Sequence, residues 1–97
     1  MQLYIGGFIM SNQYQMPAPT FSTFIASLSS SAMVQLGEIA EPTTGQKLAN
    51  MPMAKHTIDI IALLQEKTKG NLTNEESKLI QNVLTDLRMR YISAINQ

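Results

Sequence analysis

The sequence predicts an all-α fold, and three observations carry that prediction. Apolar residues recur at intervals of three and four in three separate stretches. Capping residues stand where each stretch begins or ends, and proline- or glycine-bearing segments lie between them. These signals place helices over about 21–36, 51–68 and 74–95, with the second and third as a tight antiparallel hairpin. Residues 1–19 read as a flexible N-terminal extension, and residues 20–97 as a single helical domain.

The first helix follows the breaker MPAPT at 16–20. Phe21, Phe24, Ile25, Leu28, Ala32 and Leu36 then repeat at helical spacing. Thr20 or Ser22 can cap the start by accepting a bond from a free backbone N–H. Gly37 can take the left-handed conformation that ends a helix. The opposite side, ASLSSSA, is nearly all small: Ala26 with Ser30, and Ser27 with Ser31, lie four apart on one face. Such a face either meets solvent or admits the close approach of another backbone.

The connection GEIAEPTTGQKLAN, 37–50, is long for a compact domain, where structureless loops beyond about 12–15 residues are uncommon. Ile39 and Leu48 are expected to pin it onto the helices, and it is the first place to look for a ligand.

Asn50 can cap the second helix, and Pro52 fits its first turn, where a missing N–H costs nothing. Projected at about 100° per residue, Met53, Ala54, Thr57, Ile58, Ile60, Ile61, Ala62 and Leu64 fill a band of roughly 200°. That is broader than a one-sided stripe, so this helix should meet neighbours on two sides. Lys55, Asp59 and Glu66 hold the polar side, and Leu63 lies near the opposite edge of the band.

The segment QEKTKGNLTNEES, 65–77, reads as a hinge. Lys67 and Lys69 favour the negative C-terminal end of the second helix, and Gly70 supplies a left-handed turn. Leu72 is expected to tuck into the hairpin. Thr73 and Glu76 make a capping box, each side chain bonding the other's backbone N–H, while Glu75 adds charge at the positive helix end. In the third helix Ile80, Val83, Leu84, Leu87, Tyr91 and Ala94 form the main stripe. Met89 and Ile92 fall off it, which suggests a second contact surface.

Composition bounds the function. The 97 residues carry 7 Lys plus Arg against 7 Asp plus Glu, so the formal net charge is zero. Neither nucleic acid nor an acidic membrane is attracted by such a balance, and copies of the chain repel one another little. Charged residues are 14% of the chain while 44% is apolar. An average domain has roughly 25% charged residues. Apolar surface should therefore be left over for an oligomer or a partner to cover. Cysteine is absent, which removes disulfides and thiolate metal sites. The opening MQLYIGGFIM lacks the basic residues of a signal peptide and is shorter than the about 20 apolar residues that span a bilayer. A cytoplasmic location with no membrane association is expected.

Chemistry-bearing residues are sparse. His56 with Asp59 at i+3 would make half a metal pair, but no second histidine and no cysteine can complete it. Glu38 and Glu41, on either side of apolar Ile39 on the long loop, are a possible acidic pair. No G-x-S-x-G elbow and no G-x-x-x-x-G-K phosphate loop is present. Arg88 and Arg90 lie about 160° apart on the third helix, so they form no common basic face. Asp86 stands at i,i+4 to pair with Arg90. A helix-turn-helix reading of the second and third helices places glutamates where phosphates would dock. The residues thus predict no catalytic, cofactor-binding or metal site.

From Phe21 to Tyr91 the chain resembles a bacterial family of short proteins catalogued as domain of unknown function eighteen-forty-four. FSTFIASLSSSAMVQLGEI, MPMAKHTIDIIALLQEKTKGNLTNEE and LTDLRMRYI carry the resemblance. It implies a small all-helical bacterial protein and carries over no activity or ligand residues. Residues 1–19 look unlike the family's shared part.

The function expected from these readings is that of a non-enzymatic, self-associating structural or interaction protein. The alternative is an adaptor that binds another protein in a helical apolar groove, with methionines adapting to its surface. A third reading is a small-ligand binder or enzyme using the 37–50 loop with Glu38, Glu41 and His56.

Overall fold

The computed structural model describes residues 18–97. Of the extension expected to be flexible, 1–19, residues 1–17 lie outside the described residues. Among the described residues there are three α-helices and no strand: α1 (Phe21–Gln35), α2 (Met51–Lys67) and α3 (Asn74–Ile95).

Each helix starts on a side-chain cap. At α1 the cap is Thr20 rather than Ser22. The Thr20 hydroxyl accepts from the Thr23 N–H at 3.0 Å, and the Thr20 N–H donates to the Thr23 hydroxyl at 3.1 Å. Two of the N–H groups that a helix start leaves unpaired are thereby satisfied. At α2 the Asn50 side chain accepts from the Met53 N–H, with Pro52 in the first turn. At α3 the Thr73–Glu76 capping box is complete, with bonds of 2.9 and 3.1 Å.

The end of α1 is a Schellman motif. The N–H of Gly37 bonds the carbonyl of Val34 and that of Glu38 the carbonyl of Met33. This requires a left-handed residue between them, and Gly37 has φ +81°. Beyond α2, Gly70 turns the chain at φ +84°.

The core takes three side chains from each helical segment: Ile25, Ala32 and Leu36; Ala54, Ile58 and Ile61; Ile80, Leu84 and Leu87. Leu72 packs against this cluster from the hinge, as expected. Thr57 is the buried polar residue among the described residues. Its hydroxyl donates to Gln35 Oε1 at 2.6 Å, which ties α2 to the end of α1 and spares a buried hydroxyl without a partner. On the other side of α2, Gln65 bonds Gln81, while Lys55, Ile58 and Asp59 share a groove with Arg88, Tyr91 and Ile92. Residue numbers fall along α2 as they rise along α3, compatible with an antiparallel hairpin.

Three expectations about inward-facing residues are corrected. Ile39 and Leu48 do not pin the long loop: they are 44% and 69% exposed. The loop is held at its ends instead, by Leu36 in the core, by the Asn50 N–H bonded to the Gln35 carbonyl at 2.7 Å, and by Gly37 against Ala49. Phe24, placed on the inner stripe of α1, is about half exposed. Met53, counted in the apolar band of α2, is likewise about half exposed. The flanking helices bury Ala54, Thr57, Ile58 and Ile61 on α2 and partly cover Ala62 and Leu64, which leaves Met53 at the uncovered edge of the band the sequence projects. Beyond that cover, apolar residues remain on the surface.

Candidate functional site

The charged residues singled out from the sequence do not converge. Glu38 turns toward Arg90, with Oε1 3.3 Å from the guanidinium, and Arg90 also holds Asp86 at 2.8 Å. The Asp86 hydrogen bond first, then its charge, raises the Arg90 pKa above its ordinary value. Glu41 folds back on its own turn, accepting from the N–H of Thr43 at 2.7 Å and from its hydroxyl at 2.9 Å. Those two bonds, the backbone one foremost, lower its pKa. They hold the loop tip, where the Gly45 N–H also returns to the Glu41 carbonyl. His56 is exposed on α2. Asp59, its candidate metal partner, is bonded to Lys55 at 2.8 Å, and that bond raises the Lys55 pKa. Among the described residues no three His, Cys, Asp or Glu side chains form a metal-holding group.

The small face of α1 meets solvent. Ala26, Ser27, Ser30 and Ser31 are all exposed, and the Ser27 hydroxyl bonds back to the Phe24 carbonyl. Serine hydroxyls that return to their own helix need no other partner.

Apolar surface concentrates instead along the second half of α3. Met89 is 68% exposed, Ile92 53% and Ile95 50%. Single exposed apolar residues are ordinary, but three within two turns form a patch. The sequence already sets Met89 and Ile92 off the main stripe. Ile95 completes the patch because it follows Ile92 by three, on a neighbouring line of the same helix.

Next to the patch lies an open groove of about 360 Å³ between α2 and α3. Its α2 wall is Lys55, Ile58 and Asp59, and its α3 wall is Arg88, Tyr91 and Ile92. Apolar side chains make the floor and charged ones the rim. Arg88 has no ion pair among the described residues, and the Lys55–Asp59 pair uses only one carboxylate oxygen. An open, shallow apolar surface continues along α3 over Arg88, Met89, Ile92 and Ser93. Such a surface can bury apolar side chains of a partner and align them by charge.

Three helices around one core, with an apolar groove left open between two of them, define a small all-α protein. No helix of the described residues is long and apolar enough to cross a membrane. The chain belongs to the family described as "Domain of unknown function (DUF1844)", whose model matches residues 18–93. No curated protein and no solved structure matches it.

Proposed function

We propose that this chain is a non-enzymatic interaction protein that works by associating with itself. The observation that carries the reading is the clustered exposure of Met89, Ile92 and Ile95 beside the groove between α2 and α3. A chain that leaves such residues in water gains free energy by covering them, at about 25 cal/mol per Å² of apolar surface removed. The zero formal net charge leaves little long-range repulsion to oppose association of identical copies.

Sedimentation equilibrium of the full chain at micromolar concentration tests the proposal. A reversible dimer or larger species is the expected result. A stable monomer across that range removes self-association.

The same groove favours the adaptor as a second reading, because an amphipathic helix of another protein would fit an apolar trough between two helices. A monodisperse monomer that captures such a helix would select that reading.

A further inference from the structure

We infer that the groove between α2 and α3 is a two-fold, self-complementary interface, with Arg88 of one copy paired to Asp59 of the other. The inference rests on the self-association reading and adds its surface and register. Identical chains most often pair about a two-fold axis, which puts the same patch on both sides. An axis lying in the contact plane and running along the groove exchanges its walls: the α2 wall of one copy faces the α3 wall of the second. The two walls differ in the way this exchange requires.

The α2 wall carries Asp59 and the α3 wall carries Arg88. Within one chain these two form no ion pair among the described residues, although they line the same groove. Asp59 binds Lys55 through Oδ2 and keeps Oδ1 for a second donor. Arg88 offers a planar fork of donors suited to a carboxylate. Across the axis each Arg88 meets an Asp59, so the interface has two equivalent ion pairs at its rim. Rim pairs of this kind fix register and exclude wrong partners more than they add affinity.

The apolar part is also matched to itself. Ile92 projects from the α3 wall at 53% exposure, while the groove floor is formed by Ile58 and Tyr91. The shallow surface over Arg88, Met89 and Ser93 extends the apolar contact along the same helix. Projection and recess thus lie on one face, which two copies of the chain can bring together twice.

The test uses the full chain and its dissociation constant from sedimentation equilibrium. Far-UV circular dichroism verifies that each variant remains helical. Ile92→Glu should weaken association at least about tenfold, since it puts a charge into the buried centre. Arg88→Glu and Asp59→Arg should each weaken it, and the double reversal Arg88→Glu/Asp59→Arg should restore it to within about threefold of the parent. Met53→Glu, on the side of α2 away from the groove, should leave the constant unchanged.

Association that survives Ile92→Glu and both single charge reversals, but is lost on Met53→Glu, overturns this interface and keeps self-association. Single reversals that weaken association without mutual rescue overturn the Arg88–Asp59 pairing. A monomeric parent chain overturns both readings.

Discussion

Gly37 and Gly70 offer a matched experiment on how the long loop is held. Both have nearly the same left-handed backbone, φ +81° and +84°. Alanine at either site suffers the same conformational penalty, roughly 1–2 kcal/mol for a residue with a Cβ in that region. The space around that Cβ is what separates the two substitutions. At Gly70 no atom lies within 4 Å of it, so Gly70→Ala should cost the conformational term alone. At Gly37 the new Cβ would sit 3.3 Å from the Cβ of Ala49 and 3.5 Å from its backbone. Ala49 cannot withdraw cheaply, because the next residue, Asn50, is bonded to Gln35 and caps α2. Gly37→Ala should therefore cost more than Gly70→Ala, by up to about another 1 kcal/mol, the lower range of overpacking penalties. Urea denaturation of both variants, at one fixed protein concentration so that association does not enter the comparison, gives the difference from the midpoints. Equal losses, or a smaller loss at Gly37, would refute the claim that this contact holds the loop end.

Four further outcomes follow from the same geometry. Thr73→Ala should destabilise the fold by roughly 1 kcal/mol, and an unchanged denaturation midpoint would remove the capping box as a stabilising element. Leu84→Ala, at a fully buried position, should cost about 2–5 kcal/mol, a large share of a small domain's stability, and a loss under 1 kcal/mol in urea would mean the core is not closed there. Thr57→Val should cost about 1 kcal/mol through the lost Gln35 bond; that cost should vanish in a Gln35→Ala background, and a cost that persists would assign it to packing. Glu41 should titrate below an ordinary carboxylate by carbon-detected NMR, and Thr43→Ala should bring it back up. Because its folded pKa is lowered, the turn's contribution is present above the unfolded value and fades as pH falls through the folded one. An unperturbed Glu41 titration would contradict the bonds seen at the loop tip.

The helices were legible to within a residue because their signals are local. Thr20, Asn50 and Thr73 act on N–H groups three residues away, and Gly37 and Gly70 act through their own backbone angles. Asp86–Arg90 is legible for the same reason, being one helical turn apart. The Thr23 half of the first capping box was missed because the usual pattern asks for Glu or Gln at that position, whereas a threonine hydroxyl reaches the same N–H. Contacts across the chain left no such trace. Glu38 meets Arg90, and Thr57 meets Gln35, only once three helices have chosen their faces. The same choice decided which apolar residues stayed out. Periodicity groups Met53 with Ile61, but it cannot say how wide an arc the neighbours cover, and Met53 falls beyond that arc. Part of the candidate surface could be anticipated, because Met89 and Ile92 lie off the stripe. The groove beside them could not, since its walls come from two helices.

The bond from Asn50 back to Gln35 closes the long connection into a ring whose ends do not depend on its middle. Between them, Thr43 to Leu48 are exposed, and Gly45 has open space around it. Added chain at that tip would extend an already closed loop, and doubling a loop's length costs only about 0.6 kcal/mol. The tip is therefore a port: a fluorescent or affinity peptide inserted between Thr44 and Gly45 should leave α1 and α2 docked. Such an insertion would report on partners without touching either wall of the groove.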